Sequence, residues 1–217
     1  MIKYKLYITI IIITTIFSCT TNKKIKSDLI SYSNLIMSAD SDSIMKILTI
    51  NNIEDSLILR KKCSNLIIDT TDIILKHLIK RMYKTVIDTI YGGVGIASPQ
   101  VGINKRIIIV QRFDKKGKPF ETYLNPKIIQ YSKLKQGGEE GCLSIPNKKG
   151  EVCRSYAILI EYDGMDRTHH FELVEDFTAV IFQHEIDHLN GTLYIDRINP
   201  NIQKVTIEEF RDSCNIN

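Results

Sequence analysis

Apolar residues recur every three or four positions along residues 71–90, at Ile74, Leu75, Leu78, Met82, Val86 and Ile90, the pattern of an amphipathic helix with one face on a core. Gly92-Gly93 supplies its stop. Residues 106–111 (RIIIVQ) and 156–162 (YAILIEY) are short β-branched runs that predict strands, with Leu124-Asn125-Pro126 as a strand end or turn. Residues 115–119 (KKGKP) and 163–166 (DGMD) predict hairpin loops. A second helix is expected over residues 175–190 (EDFTAVIFQHEIDHLN), halted by Gly191. On it Phe177, Val180, Ile181, His184 and His188 form one stripe, and Ala179, Phe182, Ile186 and Leu189 form another. A helix apolar on two faces is largely buried, so one face can serve the core and the other a pocket. The order helix, several strands, helix predicts an α+β domain of mostly antiparallel sheet packed around the second helix.

The first residues carry a different pattern. Lys3 and Lys5 precede an uncharged stretch of twelve residues, 6–17, and then Ser18-Cys19. Twelve helical residues span about 18 Å against roughly 30 Å of bilayer hydrocarbon, so a signal peptide over residues 1–18 is expected rather than a spanning helix. Ile16-Phe17-Ser18-Cys19 resembles a bacterial lipobox, which implies cleavage before Cys19 and lipidation of that residue. The competing readings are a plain signal peptide and an uncleaved anchor. Residues 19–44, rich in Ser, Asn, Lys and Asp, then read as a polar tether with at most a short helix. Residues 45–197 would form the catalytic domain, and residues 198–217 a C-terminal extension expected to be helical. The implied location is the membrane surface after export, through a lipid on Cys19, or the cytoplasm if the leader is not processed.

With 217 residues, 43% of them hydrophobic and 25% charged, the chain can build one ordinary core, which excludes disorder along its whole length. Its net charge of +4 is small, and half of it lies in residues 1–44, where five lysines stand against three aspartates. A nucleic-acid partner is therefore not expected, since such binding concentrates basic charge on the folded domain. Cysteines stand at 19, 63, 142, 153 and 214 with no C-x-x-C pair, which supports neither a zinc ribbon nor a thioredoxin-type site. Buried free thiols are the expected state of Cys63, Cys153 and Cys214.

His184-Glu185-Ile186-Asp187-His188 is an H-E-x-x-H sequence inside the second helix. Residues four apart stand one turn above each other, so both imidazoles can bind one metal ion, and Glu185 lies close enough to act on water without being a ligand. A catalytic site of this kind needs a third protein ligand. The metzincin continuation H-x-x-G-x-x-H finds Gly191 in place but Tyr194 at its last position, which excludes that class. Glu208 or Glu209 could serve as in thermolysin-like enzymes, and Cys142 is the other candidate.

Three segments, 93–100 (GVGIASPQ), 140–144 (EGCLS) and 183–191 (QHEIDHLNG), resemble in sequence and order the three motifs of the peptide deformylase family. The resemblance covers about residues 45–196. It implies a hydrolase that removes formyl from N-formylmethionyl peptides and releases formate. Cys142, His184 and His188 would hold a divalent ion, characteristically Fe(II), with Zn(II), Ni(II) or Co(II) able to replace it. Glu185 would be the general base and later the acid toward the departing amine, while the Gln100 amide and the Leu143 N–H would stabilise the oxyanion. Gly93 and Gly95 would let an extended peptide approach, and Val94, Phe177, Val180 and Ile181 would line the methionine pocket. The sequence departs from the family at Ser98, where alanine is usual, at Lys149, where arginine is frequent, and at Cys153, where proline is usual. The alternatives are an exported zinc metallopeptidase using Glu208 or Glu209, and a lipoprotein that binds formyl peptides without turnover.

Overall fold

Both faces of the central sheet are covered at residues 107–110, which explains why this stretch reads as an unbroken apolar run rather than an alternating one. The structure, a computed structural model, describes residues 27–90 and 92–198. In chain order it contains α1 (Ser33–Ile36), α2 (Ile53–Leu59), α3 (Ile73–Ile87), β1 (Gly95–Ala97), β2 (Ile107–Gln111), β3 (Phe120–Tyr131), β4 (Lys135–Cys142), β5 (Ile145–Ser155), β6 (Ala157–Asp163), β7 (His169–Glu175) and α4 (Asp176–Leu189). Five strands form an antiparallel sheet in the order β1-β2-β3-β6-β7, and β4 and β5 form a separate antiparallel hairpin. This is the expected α+β class.

Successive side chains of a strand point to opposite faces. Accordingly Ile96, Ile107, Ile109 and Leu124 join Leu75, Leu78, Met82 and Val86 of α3 in one buried cluster. Ala97, Ile108, Val110 and Tyr123 join Ala179, Phe182, Ile186 and Leu189 of α4 in a second. The sheet is thus sandwiched between the two predicted helices, and the second apolar stripe of α4 is the one that meets it.

Several elements end or begin where the sequence pattern did not place them. Asp72 caps α3 by accepting from the Ile74 and Leu75 N–H groups, but the helix stops at Ile87, short of Gly92-Gly93. Asp88 turns extended there and its carboxylate takes the Ile90 N–H, which leaves Ile90 outside the helix and exposed. Leu124-Asn125-Pro126 does not end a strand. It is an irregularity within β3, where Asn125 adopts φ 52° and its N–H bonds to the Arg106 carbonyl. Strands β4 and β5 have no alternating pattern and were not foreseeable from periodicity.

Residues 27–44 are not a free polar tether. Leu29 and Ile36 are fully buried in the α3-side core. Arg81, itself buried on α3, donates to the carbonyls of Leu35, Ile36, Ser43 and Ile44. Ser27 Oγ donates to Asp72 at 2.6 Å, and Asp28 pairs with Lys105 at 2.7 Å. Two apolar side chains and one guanidinium therefore convert a polar-looking segment into a docked strap. The expected leader, Cys19 and the first part of the tether lie outside the described residues, as does the C-terminal extension beyond Ile198, which pairs with Val152 in an isolated bridge. Cys63 is a buried free thiol, pushed up to about 12 by burial, whereas Cys153 is disulfide-bonded rather than free.

Candidate metal centre and active site

The first stripe of α4 faces a cleft of about 840 Å³, within the size range of small-molecule and peptide sites. Gly191, at φ 73°, ends the helix where a side chain would run into the Arg60 carbonyl. This close approach fixes α4 against the segment after α2. Gln183 ties the helix to the hairpin, accepting from the Ser155 N–H at 3.0 Å and donating to the Ser155 carbonyl at 2.9 Å. The hairpin in turn delivers Cys142 from the end of β4.

The ligand atoms of Cys142, His184 and His188 all lie within 4.8 Å of one another. Cys142 Sγ is 3.2 Å from His188 Nε2. His184 Nδ1–H donates to Glu140 Oε2 at 2.8 Å, which leaves Nε2 for the shared centre. Such a carboxylate behind a ligating histidine fixes its tautomer and ring angle. Glu140 is held by Arg154 through two bonds of 2.7 and 2.9 Å, and Arg154 also bonds Asp187, which Arg197 grips from outside. Tyr194 stacks on the His184 ring, with centroids 6.1 Å apart and planes 19° from parallel.

The donor set fits a divalent ion by its chemistry, one sulfur and two imidazoles converging on one point. Burial disfavours charge on both imidazoles, yet at His184 the hydrogen bonds to Cys142 and Glu140 outweigh it and favour the protonated ring. At His188 burial and the neighbouring His184 and Arg154 charges hold the ring neutral. Thiolate and imidazole suit borderline metals better than magnesium or calcium.

Glu185 stands beside this group, 4% exposed, with Oε2 buried and unpartnered. Burial pushes its carboxyl up to about 7. A side chain on Gly95 would meet Glu185 Oε1 at 2.5 Å, so only glycine lets the β1 backbone pass this carboxyl. Gln100 Oε1 accepts from the Ala97 N–H at 2.8 Å, and this bond aims its Nε2 at Ser144 Oγ, 3.3 Å away, and Cys142 Sγ, 3.7 Å away. Leu143 follows Cys142 in the turn between β4 and β5. Gly93, Val94, Phe177, Val180 and Ile181 line the same cleft.

The inferred site residues line this cleft, except His188, which is buried behind it with its ligand atom beside those of Cys142 and His184; Cys19, Glu208 and Glu209 lie outside the described residues. Sequence reasoning left Glu140, Arg154 and Asp187 without roles. Glu140 lies inside the EGCLS segment and Asp187 inside H-E-x-x-H, but Arg154 reaches them only through β4–β5 pairing and had no local signal.

The family model for polypeptide deformylase matches residues 44–204. The chain belongs to the peptide deformylase family. It is 37% identical over 146 residues to the peptide deformylase of Finegoldia magna, covering 67% of this chain and 86% of that protein. With the peptide deformylase of Pseudothermotoga lettingae it shares 38% over 166 residues, 72% of this chain and 88% of the relative. Among solved structures, the Thermotoga maritima peptide deformylase superposes with a TM-score of 0.63 at 36% identity, over 72% of this chain and 99% of that one. The actinonin-bound deformylase of Acinetobacter baumannii gives 0.64 at 32% identity, over 72% and 99%. The family match begins at residue 44, so the strap ahead of it is an addition to the deformylase domain.

Proposed function

We propose that this chain removes the formyl group from N-formylmethionyl peptides and releases formate, with Cys142, His184 and His188 holding one divalent ion. The observation that carries the reading is a deformylase cleft in which these three ligands converge beside a buried carboxyl with one oxygen unpartnered. When bound, the ion supplies positive charge to the formyl carbonyl and acidifies the attacking water. Fe(II) is the ion we assign, and Zn(II), Ni(II) and Co(II) suit the same ligands.

Glu185 takes the proton of the attacking water on its free oxygen and hands it to the methionine nitrogen as the C–N bond breaks. A carboxyl near neutrality is suited to both transfers. The Gln100 side-chain N–H and the Leu143 backbone N–H meet the oxygen that becomes negative; removing one such donor typically lowers the rate ~10²–10³-fold. The peptide backbone runs along Gly93–Gly95, and Val94, Phe177, Val180 and Ile181 receive the methionine side chain.

The protein works, in this reading, outside the cytoplasm and anchored through a lipid on Cys19. The apolar leader before Ser18-Cys19 supports this. Anaerobic loading with Fe(II) should give formate release from formyl-Met-Ala-Ser; a metal-replete sample that binds the peptide without release would end the hydrolytic reading. Mass analysis of the N-terminus with membrane fractionation tests the anchor: an intact Met1 on soluble protein would return the enzyme to the cytoplasm.

A further inference from the structure

We infer that the end of α3 where the N-terminal chain enters the domain is a membrane-contacting face, and that it holds the mouth of the cleft away from the lipid surface. This rests on the lipid-anchored reading of Cys19. The chain enters at Ser27, whose Oγ donates to Asp72, the cap of α3, while Asp28 accepts the Ile67 N–H at 3.0 Å. Residues 20–26 alone separate Cys19 from this point, and fully extended they reach at most roughly 27 Å. A lipid on Cys19 therefore keeps the entry point near the bilayer.

Three exposed isoleucines are tied to that entry through the backbone. Ile30, Ile67 and Ile73 are 43%, 65% and 73% exposed. The Ile30 N–H bonds the Ser27 carbonyl at 3.1 Å, the Ile67 N–H bonds Asp28, and Ile73 follows Asp72. One exposed isoleucine needs no explanation, but three gathered where a lipidated chain attaches form a patch for an apolar medium. Lys23, Lys24 and Lys26 in the intervening segment complement anionic headgroups. A lipid on Cys19 supplies the attachment, and the part this face plays is to orient the domain on the surface.

The mouth of the cleft lies at the other end of the same helix. The Gly93 N–H returns to the Val86 carbonyl at 3.0 Å, and Gly92 to Gly95 line the cleft. Between Ile73 and Ile87 a helix rises roughly 21 Å. With the entry seated on lipid, the site opens toward solvent and takes formyl peptides that are free or protrude from the surface.

The chain has no tryptophan, so one introduced indole reports its own position. Ile73→Trp places it at the first residue of α3 and Ile90→Trp three residues beyond its last, Ile90 being 80% exposed and outside the cleft lining. Both full-length variants, purified from membranes and tested for parental formate release, are reconstituted in phosphatidylethanolamine–phosphatidylglycerol vesicles with brominated acyl chains. The N-terminal mass is recorded on the same samples. Ile73→Trp should lose about half or more of its emission and Ile90→Trp less than about a tenth, as an interfacial contact on one side requires. Equal quenching at both positions, or none at Ile73→Trp in lipidated protein, overturns the inferred face while leaving the anchor intact. An unmodified Cys19 overturns the anchor itself, and the mass rather than the quenching records that failure.

Discussion

Helix α4 and the β4–β5 hairpin each bring metal ligands to one point, but they are held there by different forces. α4 is positioned by apolar contact: Ala179, Phe182, Ile186 and Leu189 are buried against the sheet, and the ligating histidines follow from the helical repeat. The hairpin has little apolar surface along β4 (KQGGEEGC), and its apolar contacts are confined to a small cluster in which Ile145 and Val152 of β5 meet Leu193 and Tyr194. It is fixed by a buried network running from Arg154 to Glu140 and His184 on one side and to Asp187 on the other. An element held by packing tolerates exchange among apolar residues, whereas one held by paired charges fails when a single partner is removed.

The sharpest break in this comparison is Cys142→Ala, which takes away the hairpin's one ligand. We expect complete loss of turnover and of stoichiometric metal in elemental analysis, with both histidines still present. Glu185→Ala should retain metal and lower kcat ~10²–10⁴-fold, the usual contribution of a positioned acid–base group. Arg154→Leu leaves Glu140 buried without its counter-charge and should cost about 3–5 kcal/mol in urea unfolding. Adding Glu140→Leu to that variant should restore part of the stability but not the metal affinity.

The same network has a pH signature. Burial alone would raise the Glu140 carboxyl, but the bonds from Arg154 and His184 outweigh it and lower it from 4.5 to about 2. The stabilisation is fully present above pH 4.5 and disappears as the pH falls toward 2, because the unfolded chain takes up the proton first. It amounts to about 3 kcal/mol, and a stability profile of Arg154→Leu should be flatter across this window. Gln183→Ala is the smallest change, about 1–3 kcal/mol from the unpaired Ser155 groups, with metal retained. If it costs as much as Arg154→Leu, the helix and hairpin are not held by distinct forces.

The same division decides what the sequence revealed. α4, its two faces and the H-E-x-x-H pair were legible because periodicity records burial directly. The strand at β2 was legible for the same reason. Cys142 became a ligand only through the resemblance, since its hairpin shows no alternation and its partners are distant in the chain. The strap was misread because Leu29 and Ile36 are sparse among polar residues, and its main anchor, Arg81, lies far along the chain on α3. The helix end at Ile87 was missed because Ile90 keeps the apolar repeat while Asp88 breaks the backbone.

The Arg81 clamp has a mechanical consequence. Tension arriving along the N-terminal chain meets the Ser27 and Asp28 contacts first and then the four carbonyls gathered on one guanidinium. Only after these give way does load reach Met45 and the sheet. The strap therefore interposes these bonds, with the buried Leu29 and Ile36, between the N-terminal chain and the sheet that carries the cleft.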